Sequence, residues 1–563
     1  MKFLLKLQKE KHWTRYLPFC ILILAALLRL WALDLKPPHF DEGINGWFAD
    51  RVKEQGFYAY DPTNYHGPLF FYILFLAQNF FGRSLWVLRM PAVLASITTV
   101  WLALRFECFL GKNAARWGAL TLAVSPAMVF YGRYAIHESW VAASLMILLL
   151  GFFGLWLQGN RRSLFLTLLG LTLLILLKET AVIHVASLFL TSAVLFLWHR
   201  WSISKLLHPT GSTILIQEPK FPRMMIAKQS WGYYDLWIGI LVSIAVIFFF
   251  YSGGLRNIRG FLNLFYTLPA WIHTGTSAVG HIKSTYQWGP FNYYWLALMT
   301  RYEAASLVGF GYALGLVIWR FFKSLFPQST EALNTGSKNL FSRPNPATES
   351  QDPFFCFYYC LALYGLGAFV VYSIIPYKTP WCIISILWPF SLLFGVFLQH
   401  LNNKKVALAL GSLLLGASLF LCMRLNFWHY VDFSEPYVYV QTSPEIKRLT
   451  EPLLTMAKKD PRNIHLRGQI LLESYFPLPW ILRDFTSIGY FSKTNVPKKY
   501  DGDVIVVELS RSPAIEKQLH EFYYRKEFQL RDAMGKCVVY FKKSVFEDFF
   551  GQHAVNTNAG YFR

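Results

Sequence analysis

Charged residues are scarce in this chain of 563 residues: they make up 15% of it, against 54% for hydrophobic residues. Soluble domains usually carry roughly 25% charged residues. The apolar residues form long runs at 17–33, 235–252, 354–376, 380–400 and 405–424. Runs of about 20 apolar residues cross a hydrocarbon core of roughly 30 Å. The composition therefore excludes an ordinary soluble protein and predicts a polytopic membrane protein.

Acidic residues are scarcer than basic ones, 32 against 54, so the formal net charge is +22. In a soluble protein this excess would indicate nucleic-acid binding. In a membrane protein, lysine and arginine collect in the cytoplasmic loops. Topology explains the charge better, and we expect no nucleic-acid partner.

Cysteine is also rare, with seven residues and no CxxC pair. This pattern predicts neither a disulfide framework nor a zinc site. Walker A, GxGxxG, HExxH and GxSxG motifs do not occur in a suitable context, which argues against a nucleotide-driven reaction. No metal ligand is assigned, and a divalent cation stays open as a cofactor.

The distribution of charge predicts the topology of a membrane domain at 1–429 with about 11–13 helices. The basic N-terminus and the basic loop 199–230 are expected in the cytoplasm, together with the polar linker 324–352. The acidic loop 34–65 and the aromatic loop 253–300 are expected outside. We place the protein in the cytoplasmic (inner) membrane.

A change to soluble composition marks a second domain at 430–563, expected on the outer face. The apolar runs at 503–509 and 536–543 predict strands, and 513–524 predicts an amphipathic helix followed by a short strand. We expect a small extracytoplasmic α/β domain.

The number of apolar segments before Lys112 does not agree with the predicted topology. The N-terminus and Lys112 both carry cytoplasmic signals, which requires an even number of crossings between them, yet three apolar segments lie there. We expect one of them, 66–82, to dip into the membrane or to lie at its surface.

The acidic pair Asp41-Glu42 follows the first span and opens a predicted amphipathic helix. Asp41 has two interpretations with about equal weight. It could cap the helix N-terminus, where free amide donors and the helix dipole stabilise a carboxylate. It could also act as a general base at the boundary between water and lipid.

Further polar residues interrupt apolar runs and are candidates for substrate binding. Each also has a structural interpretation: His66 as an interfacial anchor, Arg133 with Glu138 or Lys178 with Glu179 as ion pairs, and Lys378 as a snorkelling side chain. The candidate set is Tyr65, His66, Arg133, Glu138, Lys178, Glu179 and Lys378.

These segments together resemble a known superfamily. The stretch from Phe40 to Ile97 resembles the first external loop and following helices of the GT-C membrane glycosyltransferases, especially the protein O-mannosyltransferase and aminoarabinose transferase branch. That branch opens its second segment with a phosphate-binding Lys-Pro-Pro-Leu, which here reads His66-Gly67-Pro68-Leu69. Together with YKTPW at 377–381 and PLPWILRDF at 477–485, the string looks most like a flippase-activity-associated subgroup.

The resemblance implies transfer of a sugar from a polyprenyl-phosphate donor to a protein or lipid acceptor, with inversion. Asp41 would be the base, Glu42 would orient it or bind the sugar, and His66 with Lys378 would stabilise the leaving phosphate. Glu138 would line the cavity, and Trp480 and Arg483 of the outer domain would lie near the membrane surface. An alternative class is a non-catalytic protein that assists the translocation of lipid-linked sugars.

Overall fold

The computed structural model describes residues 15–64, 66–207, 229–276, 287–288, 291–325, 354–492, 494–531, 535–551 and 561–562. The predicted site residue Tyr65 lies outside these residues. So do most of the loop 199–230 and nearly all of the linker 324–352, so their predictions stay untested.

Apolar helices form the first part of the chain. They are α1 (Leu17–Leu30), α2 (Phe40–Gln55), α3 (Leu69–Phe81), α4 (Leu85–Arg105), α5 (Glu107–Leu110), α6 (Lys112–Val124), α7 (Pro126–Gly132), α8 (Glu138–Gln158), α9 (Arg161–Leu177), α10 (Ala181–Leu207), α11 (Tyr233–Tyr251), α12 (Ile258–Thr276), α13 (Tyr294–Tyr302), α14 (Ala304–Leu325), α15 (Phe355–Ile374), α16 (Ile383–His400) and α17 (Lys404–Met423). A two-stranded hairpin, β1 (Gln287–Trp288) and β2 (Phe291–Asn292), precedes α13.

Within the described part of the chain, seven helices are long and apolar enough to cross a membrane. Three shorter apolar helices, α1, α3 and the apolar part of α10, accompany them. The fold class predicted from the sequence, a polytopic helical membrane protein, is confirmed. Helix α3 has 13 residues and measures roughly 20 Å, which is shorter than a hydrocarbon core of about 30 Å.

Residues 114–131 form a further apolar stretch in the sequence, long enough for one span, but they are not one helix. It breaks at Ser125, whose side chain accepts a hydrogen bond from Met128 N–H and so caps α7. Pro126 follows at the first helical position, where its missing N–H costs nothing. The predicted loop 253–300 likewise contains two helices, α12 and α13, and the hairpin.

The C-terminal domain is a mixed sheet with helices packed on it, as predicted. Its elements are α18 (Lys447–Lys459), β3 (Gly468–Leu471), α19 (Leu478–Ile481), β4 (Ile488–Tyr490), β5 (Val504–Glu508), α20 (Ser512–Glu516), β6 (Tyr523–Phe528), β7 (Cys537–Lys542), α21 (Lys543–Phe550) and β8 (Tyr561–Phe562). The strand order is β4-β3-β5-β7-β6-β8; β3 pairs in parallel with β4 and β5, and the other neighbours are antiparallel.

The predicted helix at 513–524 is wrong in its second half. Helix α20 ends at Glu516, and Tyr523 and Tyr524 already belong to β6. Both tyrosines are buried and pair with Lys542 and Phe541 of β7. Cross-strand pairing and burial therefore override the local helical pattern.

The two domains meet on α2, the helix that carries the acidic pair. One face of α2 packs on the membrane helices through Asn45, whose side chain donates to Ala135 O at 2.8 Å. The opposite face presents Gly43 and Gly46 to Pro477 and Trp480 of the C-terminal domain. A Cβ atom at Gly46 would lie 2.5 Å from the Trp480 ring, so only glycine allows this approach.

We predict that Gly46→Ala destabilises the protein, because the added methyl group overpacks a buried contact at a cost of about 1–3 kcal/mol. The gain in helix propensity, about 1 kcal/mol, offsets this only in part. The measurement is the apparent thermal unfolding midpoint in detergent. Gly311→Ala in α14 is the matched control, because a Cβ there meets nothing within 4 Å. Equal midpoints for the two variants would contradict the close docking of the domains.

Candidate active site

The N-terminus of α2 is closed by a reciprocal cap formed by His39 and Glu42. His39 Nδ1 accepts from Asp41 N–H at 3.1 Å, and Glu42 Oε2 accepts from His39 N–H at 2.8 Å. His39 Nε2 lies 2.7 Å from Tyr439 O, which can only accept, so this nitrogen carries the ring proton. The cap is His39, and the interpretation of Asp41 as the N-cap is wrong.

Glu42 is fully buried and both its oxygens are occupied. They accept from Arg89 Nε at 2.8 Å and Arg89 Nη2 at 2.6 Å, and Oε1 also accepts from Ala135 N–H at 2.8 Å. Burial would raise the pKa of Glu42, but the charge and hydrogen bonds of Arg89 outweigh it and lower that pKa. This bidentate arrangement anchors the start of α2 to α4.

Asp41, one residue earlier, faces the other way. Its side chain is 31% exposed, and His39 Nδ1 lies 3.5 Å from its Oδ2. Partial removal from water raises the pKa of the Asp41 carboxyl; neighbouring His39, followed by His66 and Lys178, opposes this rise, and the charge of Glu138 adds to it. An accessible carboxylate with a raised pKa is suited to accept a proton.

Two ion pairs stand beside Asp41, and they differ from the predicted ones. Lys178 pairs with Glu138, and His66 Nδ1 lies 2.9 Å from Glu179 Oε2. The predicted alternatives of Arg133 with Glu138 and of Lys178 with Glu179 are therefore wrong as pairings. The structure nevertheless brings His66, Glu138 and Lys178 close enough for their charges to act on Asp41.

Arg133 and Lys378 bind backbone carbonyls instead. Arg133 donates to Trp31 O at 2.6 Å and Ala32 O at 2.7 Å, beyond the end of α1. Lys378 is 1% exposed and donates to Tyr372 O at 2.8 Å and Ser373 O at 3.2 Å near the end of α15. Burial lowers the pKa of Lys378 to about 8. Burial, followed by the charge of Asp41, raises the pKa of Tyr377, the neighbour of Lys378.

Trp480 and Arg483 lie in the contact between the domains. Trp480 packs on Gly46, and Arg483 pairs with Asp50 at 3.3 Å and with Glu54 at 3.3 Å. Asp50 and Glu54 are on α2 but far along it from Asp41. The structure therefore places both residues on the docking face of α2, away from the ion pairs around Asp41.

A family described as dolichyl-phosphate-mannose-protein mannosyltransferase matches residues 65–217. That match begins after the loop that carries Asp41 and Glu42. No curated protein sequence matches the chain.

The fold is similar to that of ArnT from Cupriavidus metallidurans bound to undecaprenyl phosphate, with 14% identity and a TM-score of 0.54. The likeness covers 94% of this chain and 97% of that one. The oligosaccharyltransferase AglB from Archaeoglobus fulgidus, in complex with an inhibitory peptide and a dolichol-phosphate, is similar at 11% identity and a TM-score of 0.50. There the likeness covers 92% of this chain and 74% of that one.

The chain has the fold of the GT-C membrane glycosyltransferases. The predicted resemblance to this superfamily is confirmed, and the flippase-associated subgroup stays a prediction.

The sequence interpretation missed several residues around the candidate site. Burial raises the pKa values of Tyr377 and Tyr439 and lowers that of Arg531, and the charge of Asp41 acts to raise all three. Arg531 belongs to the C-terminal domain. A further missed residue, Arg89, could have been found from the sequence. It is a lone cation inside the apolar run of α4, and such residues are functional candidates.

Across the residues that the structure describes, no group of three or more histidine, cysteine, aspartate or glutamate side chains could hold a metal ion. The divalent cation stays a prediction.

We predict that Glu42→Gln lowers the stability of the protein strongly, by about 3–5 kcal/mol, because it leaves the buried Arg89 charge without its carboxylate. Glu54→Gln is the matched control on the same helix, since Glu54 is 44% exposed and its ion pairs are worth little. Apparent unfolding midpoints in detergent measure both. If Glu42→Gln were as stable as the control, Glu42 would not anchor α2.

Proposed function

We propose that this protein transfers a sugar from a polyprenyl-phosphate donor to a hydroxyl of a protein or lipid acceptor, at the outer face of the cytoplasmic membrane. The observation that carries the proposal is the contrast between adjacent carboxylates. Glu42 is buried and both of its oxygens accept hydrogen bonds, whereas Asp41 is accessible, has a raised pKa and lies near two ion pairs. The solved structures with this fold, named for a bound undecaprenyl phosphate and a dolichol-phosphate, support the donor class.

The reaction uses Asp41 as the general base. Asp41 takes the proton of the acceptor hydroxyl while that oxygen attacks the anomeric carbon. The bond from this carbon to the phosphate oxygen breaks, and its electron pair leaves with the lipid phosphate. Attack opposite the leaving group inverts the anomeric centre. Cationic His66 stabilises the charge that develops on the phosphate, which is where electrostatic catalysis acts most strongly.

An apolar groove between α9 and α11 suits the polyprenyl chain. It has a volume of about 250 Å³, its walls include Leu169, Leu173, Val242 and Val246, and it reaches Leu69 at the start of α3. Leu69 lies three residues from His66. A chain lying in this groove would therefore present its phosphate near His66, with the hydrocarbon away from water.

We predict that Asp41→Asn abolishes transfer, with a loss of about 10²–10⁴-fold, because a general base contributes that much. The assay supplies polyprenyl-phosphate carriers with several labelled sugars to the full-length protein in vesicles and follows label in protein and lipid. Because the pKa of Asp41 is raised, wild-type activity should fall on acidification at a higher pH than a free aspartate, near 3.9, would give.

Lipid-phosphate binding by Asp41→Asn is the control, since the variant keeps His66. Full transfer by this variant would remove the base assignment. Movement of labelled donor across the vesicle membrane without transfer to any acceptor would favour the translocation alternative.

We predict that Ser243→Phe weakens binding of undecaprenyl phosphate about tenfold but leaves a short-chain polyprenyl phosphate unaffected, because the ring fills the apolar groove. Ile244→Phe is the matched control, since Ile244 is 52% exposed on the neighbouring position of α11 and does not line the groove. The measurement is the equilibrium dissociation constant for each lipid. Equal affinities for the long chain in both variants would place the tail elsewhere.

A further inference from the structure

The contact between His66 and Glu179 is built by the backbone as well as by the side chains. Gly67 N–H, next to His66, donates to Leu177 O at 3.1 Å at the end of α9. A Cβ atom at Gly67 would lie 2.2 Å from Leu176 O, so the approach requires glycine. Glu179 follows two residues after Leu177. The two segments, 113 residues apart in sequence, therefore hold His66 Nδ1 2.9 Å from Glu179 Oε2.

The two partners differ in their access to the site. The Glu179 side chain is 4% exposed and that of His66 is 27% exposed. Burial would raise the pKa of Glu179, but the charge of His66 and their hydrogen bond, followed by Lys178, outweigh it and lower that pKa. Glu179 is thus an ionised group that stays out of reach, and His66 is the partner that a ligand can contact.

Apart from Asp41, the other charged groups near His66 are paired or neutral. Lys178 is neutralised by Glu138, and the ring of His137 lies 4.7 Å from that of His66. Burial, followed by the charges of His66 and Lys178, lowers the pKa of His137 well below its usual value, so His137 is uncharged. Asp41 contributes a further negative charge. His66 is therefore the group placed to balance the charge of Glu179.

We propose that Glu179 is a positioning residue that keeps His66 as an imidazolium, so that His66 binds a lipid phosphate as a protonated cation whose charge can be removed by pH. This inference rests on the proposed function and deepens it. Glu179 accepts the Nδ1 proton, and the exposed part of the ring presents the imidazolium charge to the phosphate. An ionised carboxylate at this distance favours the charged form of an imidazole.

The consequence is a direction of pH dependence that a lysine would not give. Phosphate binding is complete where His66 is protonated and is lost as the pH rises and the imidazolium loses its proton. A lysine in the same place would stay charged up to about pH 10. Together with Asp41, which must be ionised to act, this confines transfer between an acidic and an alkaline limit.

The test measures the dissociation constant of undecaprenyl phosphate for the full-length protein in detergent between pH 5.5 and 9. Wild type should lose affinity about tenfold or more as the pH rises, whereas His66→Lys should keep it to pH 9. Glu179→Gln should move the midpoint of the loss about one pH unit lower, which is about tenfold in affinity at a fixed pH on the falling limb. Glu179→Asp should restore part of this shift.

The double variant His66→Lys with Glu179→Gln shows whether Glu179 acts through His66. It should bind with the same flat profile as His66→Lys alone. Titration of the lipid phosphate itself is common to all variants and cancels in these comparisons. Elution volume on size exclusion and the unfolding midpoint confirm that each variant is folded.

Two outcomes separate this inference from the proposed function. If wild type binds undecaprenyl phosphate and Glu179→Gln has an unchanged profile, or weakens binding equally with and without the His66→Lys substitution, then Glu179 does not act through His66 and the inference is overturned. If wild type binds no polyprenyl phosphate at any pH, the proposed function itself fails.

Discussion

The buried pair of Glu42 and Arg89 is the interaction on which the site depends. Arg89 rises from the membrane helix α4, and besides Glu42 it donates to the carbonyls of Leu33, Lys36 and Pro37, with N–O distances of 2.6 to 3.2 Å. One guanidinium thus joins the end of the first span, the loop after it and the start of α2. Such a pair adds little net stability over apolar packing, but removing either partner strongly destabilises the folded state. Its value here is geometric, since it fixes where α2 begins.

The position of Asp41 follows from that anchor. Glu42 points into the bundle and His39 closes the cap, which leaves the Asp41 carboxylate close enough to His66 and Lys178 for their charges to act on it. Two adjacent carboxylates therefore acquire opposite properties: the pKa of Glu42 is lowered and that of Asp41 is raised. Pairs of acids whose surroundings push their pKa values apart are the usual sign of a division between a structural or charged role and a proton-accepting role. The C-terminal domain adds Arg531, whose guanidinium stacks over Phe40, 4.5 Å from the ring centroid.

The sequence predicts the helices well and the partners of the charges poorly. Long apolar runs set the spans, and the acidic pair after the first span marked Asp41, because both signals are local. The pairings of Glu138 with Lys178 and of His66 with Glu179 join residues 40 and 113 positions apart. The sequence shows that charges within apolar runs need partners. Which residues become those partners depends on the packing of α8, α9 and α10. The strand at Tyr523 was missed for the same reason, since its partners lie on β7.

A charge inside an apolar region can be accommodated in two ways, and the difference tells which residues matter for chemistry. The first is to donate to the carbonyls at the ends of helices, which carry partial negative charge. Arg29 does so with Leu122 O and Ala123 O at 3.1 Å each, and Arg133 and Lys378 do the same elsewhere. These cations need no carboxylate, so part of the excess of basic residues lies inside the fold.

The second way is to pair with an acid, and this requires carboxylates within the bundle, which are few. Where they gather, at Asp41, Glu138 and Glu179, the fold keeps groups that water would otherwise solvate, in surroundings that make their charge costly. Helix ends could have satisfied His66 and Lys178 as they satisfy Arg29. These two groups are instead balanced by buried acids, beside an accessible third acid. That is the physical reason why we propose this recess, and not the other buried charges, as the place where a phosphate and a proton are handled.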